Sequence, residues 1–524
     1  MTFKFIPTNI GSVLRIVLAL STLLTLLIAT YTLLSADFVP QRYLKVLLPL
    51  YFFFITAISI LAMSSKHPNG KRQLGLSILL PIAILANLSI FSASLLTSSL
   101  IGSVHRTNIS YVEYSVVAKK GSSAQLGKVN TYGLITTDQL YAGVSKEIPN
   151  RANANIRGYD SLIGVFDGLI NSDSIQFAAL RSSSLSIVRD NNVELYEKVA
   201  VVDTFRVRSS ETQVEVRDIT KPYAVYISGI DAYGSVDSVS RSDVNMLAIV
   251  NPSSRKVLLV NTPRDYYVQL HGTTGLKDKL THAGVYGVDM SRKTMEDLYG
   301  ISIPYYMRVN FTSLVKVIDA IGPISVYSPY SFKSYNVGYN TLDSKSALEF
   351  SRERYSFEDG DRQRGRNQQY VIEAIITKMG RLENAVKIPA IAGNLKSSIE
   401  TNMPEESLKG VIRGQLDDTR PWTVKSIAVD GGGALLPTYS YGNSPLYVMV
   451  PDQNSVESAK QQIPDSKTHY YVVYHNRGRL LTKCLFFAMI CMITNKYKHD
   501  RTNHHFERTR NRQRGAGIGR GRVS

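Results

Sequence analysis

Cysteine is almost missing from this 524-residue chain: the only two, Cys484 and Cys491, lie near its C-terminus, and residues 1 to 483 contain none. The main body therefore has no disulfide framework, no thiol nucleophile and no Cys-ligated metal. Histidine is sparse too, and five of the nine (His469, His475, His499, His504 and His505) crowd into the same C-terminal stretch. The lone His282 reads as a structural or surface histidine rather than a base. Acids are outnumbered, but unevenly. The formal net charge is +18, yet residues 467 to 524 alone hold thirteen Lys/Arg against two acids, which is +11 and leaves +7 for residues 1 to 466. The basic balance thus belongs mostly to a tail, and no helix-turn-helix or other DNA-reading pattern accompanies it.

Long apolar runs are present, and they fix the compartment. Three stretches, Val13 to Leu34, Leu44 to Met63 and Leu74 to Ile101, each reach the roughly 20 residues a helix needs to cross hydrocarbon. Lys4 and Arg15 flank the first, and Lys66, Lys71 and Arg72 lie between the second and third, whereas the first loop carries Asp37 with Arg42 and Lys45. This bias puts the N-terminus inside and, after three spans, the large remainder outside: a multi-pass protein of the cell membrane with an extracellular domain. A cleavable signal peptide fits less well, because the first run is long and two more follow.

Residues 1 to 106 are thus a membrane region. From 107 to 220, short mixed segments such as "SLIGVFDGLI" and "VELYEKVAVVDTFRVR", joined by Ser/Asn/Gly-rich connections, predict a small α+β accessory domain without a catalytic constellation. After Lys221-Pro222, "YAVYISGID", "VNMLAIV" and "KVLLVNT" predict buried strands, and Ser291 to Tyr299, Thr312 to Ala320 and Ser344 to Phe350 predict helices. The alternation implies an α/β fold, a mixed central sheet with helices on its faces, whose ligands sit beyond the strand ends.

The charged residues gather at those ends. Asp231 closes one strand, Arg241 and Asp243 precede the next, and Arg264 and Asp265 follow the third. Farther on, "SRERYSFEDGDRQRGRNQQ" (Ser351 to Gln369) puts five arginines and four carboxylates into nineteen residues. Taken alone, such a run reads as a solvated, self-neutralising loop. Beside the strand-end acids it reads otherwise. Paired carboxylates such as Asp231 and Asp243 suit Mg²⁺, which takes oxygen ligands and phosphate oxygens together, and arginines make bidentate bonds to a pyrophosphate. The apolar run Tyr370 to Met379 predicts a helix with Arg364 and Gln368 at or near its N-terminus, an end that favours anions.

From about Ala224 to Met379 the chain resembles the LytR-CpsA-Psr family, through "GID", "RSDVNMLAIVNPSSRKVLLVNTPRDYYV", "YYMRVNFTSLVKVIDAIGPISVYSP" and "ALEFSRERYSFEDGDRQRGRNQQYVIEAIITKM" in that order. Three spans and an accessory domain look like its streptococcal CpsA-like capsule branch. The resemblance implies a catalytic core over residues 221 to 385, a C-terminal part of the external region over 386 to 463, and an apolar cleft for a polyprenyl chain with phosphates at its charged mouth. It also implies roles: Asp231 and Asp243 for the metal, Arg241, Arg264, Arg352, Arg354, Arg364 and Gln368 for the pyrophosphate, and Arg264, Asp361 and Asp265 for catalysis. Arg362 and Arg366 have no firm counterpart and read as surface charge. Two departures, Pro323 in "IGPISV" and the loosely matching "KLTHAGVYG", bear on the shape of the cleft.

The implied activity is Mg²⁺-assisted transfer of an undecaprenyl-pyrophosphate-linked capsular polysaccharide to peptidoglycan outside the cell, with capsule assembly proteins as further partners and DNA not expected. Whether P–O or sugar C–O is cleaved, and which carboxylate takes the acceptor's proton, stay open. Two alternatives stand beside it: a regulator of capsule gene expression or chain length, such as a transcriptional attenuator, and a polyprenyl pyrophosphatase using water as acceptor. Residues 464 to 524 change composition abruptly and read as a basic tail from an altered frame or an extension. In that tail the apolar run Leu480 to Ile493, broken by Lys483, is short for a span.

Overall fold

A computed structural model describes residues 10–64, 70–102, 111–126, 128–151, 154–209, 217–230, 240–358, 360–385, 391 and 399–463. All of them fall within one unit, Met1–Thr468. Asp231 and the tail from residue 464 lie outside the described residues.

Three helices come first: α1 (Ile10–Ala36), α2 (Gln41–Ser64) and α3 (Gly70–Gly102). Each holds a stretch long and apolar enough to cross a membrane, Val13–Ala36, Gln41–Met63 and Ile78–Leu100. Leu and Phe side chains point outward along them, as lipid-facing residues do, while Asn87 knits the three together. Its amide donates to Thr22 O (3.2 Å) and Thr25 Oγ1 (3.0 Å) and its carbonyl accepts from Tyr51 OH (2.7 Å). The turn between α1 and α2 reaches the distant helix Glu405–Asp417: Arg413 Nη1 lies 2.5 Å from Asp37 Oδ1, and Arg42 Nη2 donates to Leu416 O at 2.7 Å. That turn and the α/β domain therefore share one side of the spans.

The accessory domain is a five-stranded sheet ordered β3-β2-β4-β1-β5, from β1 (Tyr111–Lys119), β2 (Asn130–Ile135), β3 (Ala154–Tyr159), β4 (Phe177–Arg181) and β5 (Val199–Arg208). In β4, Phe177 and Ala179 pack with Val144 and Ile148 of α4 (Tyr141–Arg151) on one face. Ala178 and Leu180 meet Val165, Phe166 and Leu169 of α5 (Leu162–Ile170) on the other. The two-residue period of a strand makes that split. Arg181, at the end of β4, is bidentate to Asp138 (2.8 and 2.6 Å), its guanidinium 5.2 Å from the Tyr286 ring of the core. This buried pair lines a small pocket between accessory sheet and core. Short helices α6 (Leu185–Asn191) and α7 (Val193–Glu197) lead into β5.

The core sheet has six strands ordered β14-β11-β6-β7-β8-β15. They are β6 (Tyr223–Ile230), β7 (Val244–Asn251), β8 (Lys256–Thr262), β11 (Tyr305–Asn310), β14 (Ile399–Thr401) and β15 (Thr423–Ala428). It is mixed: β11 with β6 and β8 with β15 are parallel, the other neighbours antiparallel. Both edge strands come from beyond residue 385, so the segment 386 to 463 completes the core rather than following it. Two-residue strands β9 (Tyr267–Val268) and β10 (Asp278–Lys279) and helix α8 (Leu280–Ala283) follow β8.

Successive residues of the central strands face opposite cores. Ala224, Tyr226, Leu247, Ile249 and Val260 pack on Met290, Met295 and Tyr299 of α9 (Val288–Tyr299) and on Val456 and Ala459 of the helix Gln453–Gln462. Val225, Met246, Ala248, Val257 and Leu259 pack on Ile372 and Ile376 of α12 (Gly360–Met379) and on Leu408. Each such large side chain contributes about 1.5–3 kcal/mol on burial, which is why these strands read as near-continuous apolar runs.

A third cluster joins α10 (Phe311–Ile321), the hairpin of β12 (Ile324–Ser328) and β13 (Gly338–Leu342), α11 (Ser344–Arg352) and α12 through Ile318, Val326, Phe332, Phe350 and Val371. Asn310 and Ser313 start α10 with a reciprocal capping box. Between α11 and α12 the chain turns on Glu353. This buried carboxylate pairs with Lys333 Nζ and accepts from the Tyr355 and Ser356 backbone N–H groups at 2.8 and 2.9 Å. Burial alone raises its pKa, but the Lys333 and backbone hydrogen bonds prevail and hold it at about 2, against an ordinary 4.5. A depressed native pKa gives stability that is present above the unfolded value and lost as pH falls through the native one. Glu353→Gln should lower the melting temperature at pH 7, and the gap to wild type should close between about pH 4.5 and pH 2 in a series of thermal melts.

Candidate active site at the end of the central sheet

The register of β7 against β8 builds the first wall of the site. Asn245 lies opposite Thr262 in this antiparallel pair. Two residues farther in each direction, past the end of the sheet, Asp243 and Arg264 face each other, and Arg264 Nη1 lies 2.5 Å from Asp243 Oδ1. Asp265 stands alongside, its Oδ2 3.8 Å from Arg264 Nε and its Oδ1 3.1 Å from Lys279 Nζ.

Backbone bonds hold this wall in place. Asp243 N donates to Gly229 O (2.8 Å), Ser242 N to Thr281 O (3.2 Å) and Thr281 N to Arg264 O (2.8 Å). The buried Ser242 hydroxyl is a hub, near Tyr226 OH (3.0 Å) and Ser228 Oγ (2.8 Å) and donating to Val244 O (2.9 Å). A Cβ on Gly284 would come within 2.6 Å of Ser240 O and Ser242 N, so only glycine lets α8 approach so closely. His282 is buried here against Asp278 Oδ1 (2.7 Å), while Asp278 Oδ2 accepts from Ser440 N (2.7 Å). Both side chains serve the packing.

The opposite wall is α12. Gln369, buried, donates to Leu259 O (3.2 Å) and Ile427 O (2.8 Å), which pins the helix across β8 and β15. Asn367 donates to Phe350 O (3.2 Å) and accepts from Gln363, which ties it to α11. Arg362 reaches the loop after β15, donating to Gly431 O (2.6 Å) with its Nη1 3.0 Å from Asp430 Oδ1. A Cβ on Gly365 would meet Asn261 Nδ2 at 2.8 Å, so the glycine sets how near α12 lies to β8.

Between the walls opens a small cleft that brings together Arg264, Arg362, Arg364, Arg366 and Gln368 with Asp243, Asp265 and Asp430. Four guanidiniums against three carboxylates suit an anion richer in oxygen than the aspartates that now engage Arg264 and Arg362.

The structure distributes the sequence candidates unevenly. Asp243, Arg264, Asp265, Arg364 and Gln368 line the cleft. Arg241 borders it in sequence but pairs with Asp190 of the accessory domain. Arg352, the last residue of α11, and Arg354 are exposed and stand outside the lining residues. Arg354 lies over the Tyr355 ring, 4.6 Å from its centroid. Asp361 is in the first turn of α12, with its side chain outside the described residues, as is Asp231 altogether.

Two expectations are corrected. Arg362 and Arg366, read as surface charge, line the cleft. The helix expected to start near Tyr370 starts at Gly360, so Gln368 sits in its third turn and faces the cleft from the helix side rather than from its N-terminus. Charged side chains occupy the early turns and mask the helical period. Sequence reasoning also passed over Asp430, although an acid followed by three glycines just after a parallel strand is a recognisable place for a ligand-facing loop.

For a metal, the described residues contain no group of three His, Cys, Asp or Glu side chains. Asp243 offers the hard oxygen that Mg²⁺ takes, and such an ion needs only one or two carboxylates beside phosphate oxygens and water.

Comparison with known proteins adds the family context. The LytR_cpsA_psr family pattern matches residues 180–463. The polyisoprenyl-teichoic acid–peptidoglycan teichoic acid transferase TagU of Enterococcus faecalis is 31% identical over 211 residues, 39% of this chain and 69% of that protein. Biofilm regulatory protein A of Streptococcus mutans is 30% identical over 205 residues, 35% of this chain and 50% of that one. Among solved structures, that of B. subtilis TagV aligns with 47% of this chain and 96% of its own, at 26% identity and a TM-score of 0.38.

The cleft geometry generates a binding test. A hydrogen bond to a charged group contributes about 1.5–3 kcal/mol, so Arg264→Ala and Arg364→Ala should each weaken inorganic pyrophosphate binding by about 10- to 100-fold in calorimetric titration. Arg354→Ala, outside the cleft, should bind as wild type does.

Proposed function

We propose that this chain, which belongs to the LytR-CpsA-Psr family, transfers a polyprenyl-pyrophosphate-linked polysaccharide, a capsule in this case, to peptidoglycan on the outer side of the membrane. One observation carries the reading: Arg264, Arg364 and Arg366 converge with Asp243 and Asp265 in one cleft, at the edge of a sheet face whose apolar cover runs toward the spans. The names of relatives such as TagU supply the reaction class. Capsule as the glycan rests on the three spans and accessory domain, which look like the capsule branch.

In this reading the pyrophosphate takes the place that the aspartates now hold beside the guanidiniums. Arg264 turns from Asp243 toward the bridging and terminal phosphate oxygens, and Arg364 and Arg366 meet the other side. Their charge is set before substrate arrives, so the negative charge that grows on the leaving phosphate is stabilised with little reorganisation. Asp265, held by Lys279, either orients Arg264 or takes the proton of the acceptor hydroxyl, a role Asp361 is also placed in sequence to fill. Asp243, with Asp231, would hold Mg²⁺, which supplies Lewis-acid polarisation of a phosphoryl oxygen when bound. Arg241, paired with Asp190, positions the loop that carries Asp243.

The outward orientation is supported by the Lys/Arg bias of the loops, and by the α1–α2 turn lying on the same side as the α/β domain. The name of the Streptococcus mutans relative, a biofilm regulatory protein, keeps a regulatory reading in view. A DNA-binding regulator needs its charged domain inside, so protease should leave that domain intact in whole cells; under the transferase reading it is cut.

The direct test uses the full chain in lipid nanodiscs with Mg²⁺, a polyprenyl-pyrophosphate glycan and peptidoglycan fragments, with mass spectrometry of the joined product. Loss of a preorganised donor to developing charge costs about 10²–10³ in rate, so Arg264→Ala should fall by at least about 100-fold, and Asp243→Ala, which removes a carboxylate that would hold Mg²⁺, should fall as well. Normal transfer by both variants would place the chemistry elsewhere.

A further inference from the structure

The hairpin beside the cleft carries a surface that neither phosphate binding nor the core explains. Residues 324 to 342 read "ISVYSPYSFKSYNVGYNTL": four tyrosines among Ser, Asn, Thr and Gly, with Lys333 as the single charge, and that charge is committed to Glu353 and Glu349. Ile324, Val326 and Leu342 enter the core, so the alternate residues Ser325, Tyr327, Tyr339 and Thr341 form the outer face. Tyr327 and Tyr339 are directly opposed across the two strands. Tyr339 is 78% exposed and Tyr327 44%.

These rings form a line that leads to the cleft. Tyr339 meets Tyr327 edge to face at 5.5 Å, and Tyr327 meets Tyr370 of α12 at 6.3 Å. Tyr370 stands one helical turn after Arg366, which lines the cleft. Each edge-to-face contact covers one face of one ring, Tyr339 remains 78% exposed, and every ring brings a hydroxyl. An anionic partner would draw on Lys and Arg, and a contact between copies of this chain is tested below by its oligomeric mass. This ridge has tyrosine and small polar residues, the composition of surfaces that bind by adaptable hydrogen bonds and rigid aromatic faces.

We propose that the ridge Tyr339–Tyr327–Tyr370 is the docking surface for the acceptor, a glycan strand of peptidoglycan, whose pyranose rings lie against the tyrosine faces and whose hydroxyl and acetamido groups meet their hydroxyls and the neighbouring Ser, Thr and Asn. The inference rests on the transferase reading above. The acceptor is favoured over the donor glycan because the donor already has two handles, its pyrophosphate in the arginine cleft and its lipid. An acceptor strand has neither, and it is a long polymer that needs an open, uncharged track ending where its hydroxyl meets the phosphate. The line of rings ends at Arg366.

The test measures binding of lipid-free peptidoglycan glycan strands to the full chain in nanodiscs, with the lipid-free glycan of the donor as a second arm. Wild type should bind the strands, and Tyr339→Ala and Tyr327→Ala should each weaken that binding by about fivefold or more. Tyr339→Phe, which keeps the ring, should stay within about twofold. Pyrophosphate affinity and melting temperature should not change, since both positions are outward. The proposal is overturned by absent strand binding in wild type, by alanine variants that bind normally, by an equal loss for the donor glycan, or by a change in oligomeric mass that marks the ridge as a contact between copies. The transferase reading fails separately: strands bound through the ridge with no joined product would sink it alone, whereas joined product with unaltered strand binding in the ridge variants would sink only the ridge.

Discussion

Asn245 opposite Thr262 fixes where everything else at the cleft must stand. That register carries Asp243 and Arg264 past the last ladder bonds together, and a slip of one residue in either strand would put the two side chains on opposite faces of the sheet. Strands apolar on both faces do not choose their register by burial alone, and here Asn245 marks it by accepting from Tyr226 OH (2.6 Å) and donating to Ser242 O (3.0 Å). The loop bonds through Ser242, Thr281 and Gly229 then remove the remaining freedom of the backbone. Such a wall is rigid before any ligand arrives, and rigidity is what a charge-stabilising site requires.

The second wall is set by polar residues doing the work usually given to apolar ones. Gln363, Asn367 and Gln369 are buried on α12, and their amides find partners in each other and in carbonyls of α11, β8 and β15. Because these bonds are directional, they fix the rotation of the helix about its axis as well as its height. Rotation is what matters here. Arg362, Arg364, Gly365, Arg366 and Gln368 come to the cleft as a consequence, and Arg362 completes the placement by tying the helix to Asp430 and Gly431.

Much of this was legible in the residues, and the parts that were not share a cause. "YAVYISGI", "VNMLAIV" and "KVLLVNT" announced themselves because strands buried on both faces must be continuous in apolar side chains. The three spans were legible by their length and apolarity, and the strand-end charges Asp243, Arg264 and Asp265 by their place just outside apolar runs. The first half of α12 was not, since its buried face is amide and its open face arginine, leaving no apolar period to read. Within "SRERYSFEDGDRQRGRNQQ" the division of labour depends on partners far away in the chain. Arg362 finds Asp430, whereas Arg352 and Arg354 are carried outward where α11 ends, once Ala347 and Phe350 have turned inward. Likewise β14 and β15 are short or half-buried strands, and only the pairing of β14 with β11 and of β15 with β8 makes them part of the core.

Contacts with the turn between α1 and α2 give the sheet a direction. Arg255, just before β8, donates to Gln415 Oε1 at 2.7 Å, and Gln415 belongs to the helix whose Arg413 and Leu416 meet Asp37 and Arg42 from the turn between the spans. The Lys256 end of β8 is therefore the end near the spans, and Thr262, with Arg264 beyond it, is the far one. Seven residues of strand cover roughly 20 Å. Along that length one sheet face is roofed by Ile372 and Ile376 of α12, with Trp422 and Leu408 toward the near end. A lipid-linked pyrophosphate that enters from the bilayer, as the proposed function requires, has to lift its phosphates by that distance to meet Arg264. The free energy of drawing a prenyl chain out of hydrocarbon is recovered only if apolar surface accompanies it. The side chains at that level, between β6, β7, β8 and α12, are apolar but pack against one another, so a prenyl chain would have to part α12 from the sheet to lie there. In the proposed function α1 and α2 would thus do more than tether the domain: through Asp37 and Arg42 their turn fixes the Lys256 end of β8, and the arginines stand at the other end.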